Sequence, residues 1–220
     1  MENLSLLAEK VHLAFEARTK RRDEALGQAR QLTRHAAHAI RAIHRSEHEA
    51  AQEHLLAAQA LVALLKANLA DFPELFYAGY TQDAIKEFCE ASITTALIED
   101  RPMPLPEELG VEYATFLNGL AETTGELRRR CLDILRHGYS DEAERLLGCM
   151  DEIYALLVTL DYPDAVTSNL RRHTDLVRGI VERTRADLTT ALREATLGAL
   201  LTQALARLSQ IPADENNPRL

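Results

Sequence analysis

Apolar residues recur along this chain at intervals of three and four almost from end to end, the spacing of amphipathic helices, and turn-forming residues cut the pattern into segments. A first run extends from about Leu4 to about Arg45 and a second from about Glu47 to Leu69. The DFP at 71–73 interrupts the pattern, Pro73 suits a first helical turn, and a third helix follows to about Ile98. RPMPLPEELG at 101–110 is the clearest linker. A fourth helix runs from about Val111 to Arg136, with His137-Gly138 as its glycine cap, and a fifth begins behind the N-cap Ser140 and reaches about Thr159. DYPD at 161–164 breaks the pattern again. A last long helical stretch ends near Leu208, before the polar PADENNPRL. No segment alternates as a strand does, and no internal repeat is present. Short connections put successive helices side by side, so the expectation is one all-α domain over 1–220, a bundle of about six to seven helices, with 210–220 as a flexible tail.

Composition agrees with that pattern. The chain is 46% hydrophobic and 27% charged, with nine Gly, seven Pro and no Trp, as in an ordinary folded domain rich in helix formers. MENLSLLAEK lacks a basic stretch followed by an apolar core, and no window approaches the roughly 20 apolar residues that span a bilayer. The expectation is a cytoplasmic protein with no membrane partner. Cys89, Cys131 and Cys149 show no CxxC spacing and lie in apolar helical contexts, which reads as reduced core thiols.

The net charge of -9 argues against a polyanionic partner until its distribution is considered. Residues 18–45 carry Arg18, Lys20, Arg21, Arg22, Arg30, Arg34, Arg41 and Arg45 against Asp23 and Glu24, whereas residues 46–110 hold three basic and twelve acidic residues. On a helical wheel Arg30, Arg34, Arg41 and Arg45 fall within about 60° of one another, with His38 and His44 at the margins, opposite Ala25, Leu32, Ala36, Ile40 and Ile43. That stripe is either a solvated face or a surface for phosphate, and Arg21 and Arg22 belong to the same basic arm. The last helix repeats the bias more weakly through Arg171, Arg172, Arg178, Arg183, Arg185 and Arg193. Aromatic residues are scarce on both, so sequence-specific base reading has no support in the sequence.

Two carboxylate pairs stand out. In KEFCEA (86–91), Glu87 and Glu90 project together about 4.5 Å apart along a helix axis, on a stripe with Tyr80, Asp83 and Thr94. In GLAETTGEL (119–127), Glu122 and Glu126 share a face at i, i+4. Oxygen ligands from two helices suit Mg²⁺ or Mn²⁺, and such ions can stabilise the oxygens of a phosphodiester during cleavage. The spacing alone equally allows salt-bridged surface helices, with Glu126 paired to Arg129 or Arg130 and Lys86 beside Glu87. A ferritin-like di-iron site would need ExxH on two helices, and Glu9–His12 is the single instance. The pairs His35/His38 and His44/His48 read as surface or cation-stripe residues. No nucleophile elbow, phosphate-binding glycine loop or Cys/His pair is present.

Taken together, RRDEALGQARQLTRHAAHAIRAIHR (21–45), FPELFYAGYTQDAIKEFCEA (72–91), PEELGVEYATFLNGLAETTGELRRR (106–130) and the segment from Met150 to Glu194 resemble the translin superfamily, which includes translin and translin-associated factor X, and most of all its prokaryotic members. The resemblance covers most of the chain in the right order. It implies an all-α fold, a hollow homo-oligomer, commonly an octamer, and binding of single-stranded RNA and possibly single-stranded DNA. The X-type subunit is a Mg²⁺-dependent endoribonuclease whose carboxylates lie in ExxEA and GxADxxGE segments. The first matches Glu87 and Glu90 here and the second Glu122 and Glu126, so these four become the implied catalytic and metal-binding residues. Arg30, Arg34, Arg41, Arg45, Arg21 and Arg22 become the nucleic-acid contacts. One position departs from the motif: Glu122 stands where the X-type has Asp, one methylene longer, and Mg²⁺ holds its ligands to strict geometry. The leading expectation is a Mg²⁺- or Mn²⁺-dependent endoribonuclease for single-stranded RNA. Its rival is an oligomer of the same kind that binds nucleic acid without cutting it.

Overall fold

Helices form where the apolar spacing requires them, and the breaks between them have side-chain causes. The computed structural model describes residues 2–209, and the expectation of a flexible tail at 210–220 lies outside that range. The described residues form nine helices and no strand: α1 (Glu2–His44), α2 (His48–Asn68), α3 (Pro73–Phe76), α4 (Gly79–Ile98), α5 (Pro106–Leu109), α6 (Tyr113–Leu135), α7 (Asp141–Val158), α8 (Asp164–Thr167) and α9 (Leu170–Leu208). Six are long. The other three are single turns, and they account for the differences from the expected bundle.

The expected third helix is two. Ala78 is extended at ψ 145°, which parts α3 from α4. The carbonyls freed at this break are taken by side chains, Thr81 donating to Leu75 O and Gln82 to Phe76 O, each at 2.8 Å. The proline-rich linker contains α5, whose first turn is closed by the Leu105 N–H donating to the Glu108 carboxylate, and whose end is set by Gly110 at φ +67°. In the last stretch Ser168 and Asn169 are both left-handed, which separates α8 from α9, and the Asn118 amide donates to Thr167 O at 2.9 Å to hold that corner. The two expected caps are present. Ser140 Oγ accepts from Glu142 N, and Gly138 follows α6 at φ +110°.

Helix α1 packs against α2 and α4, α4 against α6, and α6 against α7 and α9, so α4 and α6 form the centre of the molecule. The predicted inner face of α1 is the observed one, with Ala25, Leu32, Ala36, Ile40 and Ile43 all buried. Phe88 of α4, Leu120 and Leu127 of α6, and Leu146 and Met150 of α7 are fully buried in one core. Gly119 determines how close α4 and α6 come. A Cβ placed there would lie 2.7 Å from Cys89 Cβ and 2.8 Å from Lys86 O, closer than real packing permits, so the α6 backbone lies directly on the turn of α4 that carries Glu87 and Glu90.

Both long terminal helices extend past this core. Every residue from Asn3 to Asp23 of α1 is exposed, including Leu4, Leu7, Leu13 and Phe15, and the end of α9 exposes Leu197, Leu200, Leu201 and Leu205. No helix among the described residues is long and apolar enough to cross a membrane.

The packing at Gly119 gives a test. Alanine is the better helix former by about 1 kcal/mol, yet Gly119→Ala is expected to lower stability by about 1–3 kcal/mol through overpacking against α4. Urea unfolding measures it, and an unchanged or raised midpoint would mean that α4 and α6 are free to move apart.

Candidate metal centre and nucleic-acid face

Helical spacing puts Glu87 and Glu90 on one face of α4, and the turn of α6 after Gly119 sets Glu122 opposite them. One carboxylate oxygen from each of Glu87, Glu90 and Glu122 lies within 4.8 Å of the other two. The extra methylene of Glu122 therefore still delivers an oxygen to the cluster. All three residues are half-buried, where carboxylate repulsion is weakly screened. Burial, followed by the charges of Glu87, Glu122 and Glu126, pushes the Glu90 carboxyl up to about 8. Burial also raises Glu87, with Lys86 pulling the other way and Glu122 and Asp83 adding to the rise.

Lys86 is the basic residue within the cluster. Its Nζ donates to Glu122 Oε1 at 2.7 Å. Burial works against that ammonium charge, but the hydrogen bond to Glu122 and the carboxylates of Glu122, Glu87 and Asp83 outweigh it and hold Lys86 above its ordinary value. One ammonium against three carboxylates leaves the site short of positive charge, and a proton on Glu90 covers part of the deficit in the free protein. The oxygen-only donor set, without thiol or imidazole in the cluster, fits a hard divalent cation such as Mg²⁺ or Mn²⁺. Alongside, a cavity of about 270 Å³ is lined by Glu90, Glu122, His173, Leu176 and Ile180.

Glu126 is placed differently from the other three. His44, at the end of α1, donates from Nε2 to Glu126 Oε2 at 2.6 Å, and Arg129 donates to the same oxygen at 3.4 Å. The His44 hydrogen bond outweighs burial and holds the Glu126 carboxyl below its ordinary range. Of the four expected ligands, three converge as a cluster. The fourth is tied down beside them, near enough for its charge to raise Glu90. His44 itself is corrected from a stripe residue to a buried one, its side chain only 4% exposed.

Arg30, Arg34, Arg41 and Arg45 are all exposed, and no carboxylate pairs with any of them among the described residues. Arg21 and Arg22 are exposed too but are paired within α1, to Glu24 at 2.9 Å and Asp23 at 3.0 Å. On α9 the weaker basic bias is partly spent, since Arg178 pairs with Glu182 and Arg185 with Asp151.

Three residues near the cluster escaped sequence reasoning as contributors. Lys86 was visible only as a neighbour of Glu87. His44 required knowing that the end of α1 comes within hydrogen-bonding reach of Glu126 on α6. His173, whose Nδ1 is buried without a hydrogen-bond partner among the described residues, lies within the basic RRHTD of α9, where nothing in the pattern distinguishes it.

No family model matches the chain. An uncharacterized protein of Methanocaldococcus jannaschii is 33% identical over 190 residues, which span 86% of this chain and 84% of that one. Among solved structures, the crystal structure of AfC3PO is similar at 33% identity and TM-score 0.78, and the AfC3PO–duplex RNA complex at 33% and 0.77, each covering 85% of this chain and 97% of the other. The structure of apo-NeC3PO, at 20% identity and TM-score 0.74, shares the fold.

The raised Glu90 carboxyl has a thermodynamic consequence. Between its ordinary 4.5 and about 8, the folded chain keeps a proton that the unfolded chain has released, so this group's contribution to stability falls as pH rises across that window. Glu90→Gln, which cannot ionise, is expected to be more stable than wild type by about 1–3 kcal/mol at pH 8 in chelator, and by less at pH 5. Urea unfolding of both proteins at the two pH values measures it. A difference that fails to grow with pH would contradict the burial of this carboxyl.

Proposed function

This chain belongs to the translin superfamily, and from that premise we propose that it is an oligomeric RNA-binding protein that cleaves single-stranded RNA at the Glu87–Glu90–Glu122 cluster with Mg²⁺ or Mn²⁺. The observation that carries the reading is the convergence of three half-buried carboxylates from α4 and α6 against a single ammonium group. A protein that kept these groups for stability alone would replace them with apolar side chains at little cost, since unneutralised buried carboxylates destabilise the fold. RNA as the ligand is supported by the likeness to the AfC3PO–duplex RNA complex and by the exposed guanidinium stripe of α1, which no carboxylate pairs among the described residues. Single-stranded DNA is a second ligand for that stripe, because contacts to phosphate do not read the sugar.

Glu87, Glu90 and Glu122 would hold the cation, and Glu90 must give up its proton for them to do so. When bound there, the ion would lower the pKa of the attacking water and offset charge on the scissile phosphate. Lys86 holds Glu122 by one oxygen and leaves the other available. Glu126, kept ionised by His44 and Arg129, completes the set of four catalytic carboxylates. Arg30, Arg34, Arg41 and Arg45 would bind the strand through its phosphates, with Arg21 and Arg22 contributing once released from Glu24 and Asp23. The apolar residues exposed along the ends of α1 and α9 would supply the contacts of a hollow homo-oligomer, proposed to be an octamer. A second reading, binding without cleavage, is favoured by the Lys86–Glu122 pair, which neutralises one carboxylate without any ion.

Incubation of the purified protein with end-labelled single-stranded RNA and Mn²⁺ separates the two. Cleavage is expected, stopped by chelator, and reduced about a hundredfold or more in Glu87→Gln and Glu122→Gln while binding persists. Binding without cleavage by wild type would establish the second reading, and equal cleavage of duplex RNA would overturn the assignment of substrate. In the same assay, Arg34→Glu with Arg41→Glu is expected to weaken binding and to reduce the slope of log affinity against log salt by roughly 0.7 for each phosphate that the stripe no longer neutralises. An unchanged slope would remove the stripe from the interface.

A further inference from the structure

The cavity of about 270 Å³ beside the carboxylates has a larger neighbour of about 610 Å³, and His173 of α9 lines both. The larger one is walled by the segment after α3, the first turns of α4 and α6, and the α8–α9 corner. Lys86 lines it as well, with its Nζ held by Glu122 of the cluster. We propose that this second cavity is a subsite for a nucleobase of the bound RNA strand, next to the phosphate at the carboxylates. The proposal rests on the reading of the cluster as an RNA-cleaving site.

Two unsatisfied polar atoms carry the argument. Asn118 is only 4% exposed, and its amide nitrogen donates to Ala114 O at 2.8 Å and to Thr167 O at 2.9 Å. Those two bonds fix which end of the amide is oxygen. Asn118 Oδ1 is buried with no hydrogen-bond partner among the described residues, and so is His173 Nδ1. Buried polar atoms are nearly always paired, so two orphans on residues that line one cavity point to a polar ligand there. Asn118 Oδ1 can only accept, which asks the ligand for an N–H or O–H. Every RNA base carries such a group, amino or imino, and His173 Nδ1 donates or accepts according to its tautomer.

Size and charge favour a base over a further phosphate. The volume lies within the roughly 300–1,000 Å³ of small-ligand sites. Asp83 and Glu112 line the cavity against Lys86, whose charge already answers Glu122, so another phosphate would be repelled and a neutral ring would not. Tyr77 and Tyr113 line it while 60% and 65% exposed. Their hydroxyls turn to carboxylates: Tyr113 donates to Glu107 at 2.5 Å, and the Tyr77 hydroxyl lies 3.5 Å from Glu112 Oε1. Rings held in this way offer the kind of surface on which bases stack. Helices α1 and α9 carry few aromatic residues, and the platforms come instead from the segment after α3 and from α6.

Affinity for two strands, measured with the full chain in chelator so that metal-dependent cleavage cannot proceed, tests the subsite. One is single-stranded RNA of mixed sequence, and the other is a ribose–phosphate strand of equal length built from stable abasic units. Wild type is expected to bind the RNA at least about fivefold more tightly. Tyr77→Ala, Tyr113→Ala and His173→Leu are each expected to narrow that ratio by weakening RNA while leaving the abasic strand unchanged, a pattern that general damage to the fold would not give. Arg34→Glu with Arg41→Glu is expected to weaken both strands alike and keep the ratio, since those residues address phosphate. Circular dichroism checks that each variant is folded. Equal affinity of wild type for the two strands, or a ratio undiminished in a folded Tyr77→Ala/Tyr113→Ala/His173→Leu variant, would overturn the subsite. Because no cleavage is read, a protein that binds RNA without cutting it contradicts the nuclease reading and still leaves this ratio to decide the subsite.

Discussion

Two helices that touch backbone to backbone set the geometry of this molecule. Gly119 lets α6 lie on α4 at the turn holding Lys86 and Glu90, closer than any side chain at that position would allow. Glu122 is one turn further along α6, and Glu87 and Glu90 lie on the touched segment of α4. Separating the helices by the thickness of a methyl group would draw the carboxylates apart. The core on either side, from Phe88 and Leu120 to Leu127 and Met150, holds the crossing in place, and α1, α7 and α9 pack around it.

That close approach has an electrostatic cost. Three carboxylates are brought together out of bulk water, and the structure offsets them unequally. Glu122 has Lys86, as the neighbouring Glu126 has His44 and Arg129, whereas Glu87 and Glu90 have no ion pair among the described residues and Glu90 is pushed up to about 8. A proton and a divalent cation are alternative answers to the same excess of negative charge, so uptake of one should displace the other. On the outer side of α1 the imbalance has the opposite sign, with four exposed guanidinium groups free of carboxylate partners among the described residues. Helix α1 links the two regions, since it carries the stripe and ends at His44 beside Glu126.

Much of the fold was legible because helix periodicity and punctuation agreed. The breaks at DFP, at RPMPLPEELG and at DYPD are where the chain turns, and Ser140 and Gly138 cap as their types suggest. The extra breaks at Ala78 and at Ser168–Asn169 were not legible, because neither uses glycine or proline at the break itself. The first depends on Thr81 and Gln82 reaching back to carbonyls, and the second on two non-glycine residues held left-handed. At the site, spacing gave the two carboxylate pairs, and the superfamily resemblance joined them. Partners from distant segments could not be read, since His44 is 82 residues from Glu126 and His35 is 19 from His54. His44, which looked like the margin of a surface stripe, became a buried carboxylate partner, and His35, read as a surface or stripe residue, faces His54.

The central claim is that Glu87, Glu90 and Glu122 together hold a divalent cation. Anomalous diffraction from crystals soaked in Mn²⁺ tests it most directly. A manganese peak within bonding distance of an oxygen from each of the three carboxylates is the predicted result. Crystals in which Lys86 still bridges to Glu122 and no anomalous peak lies between α4 and α6 would contradict it.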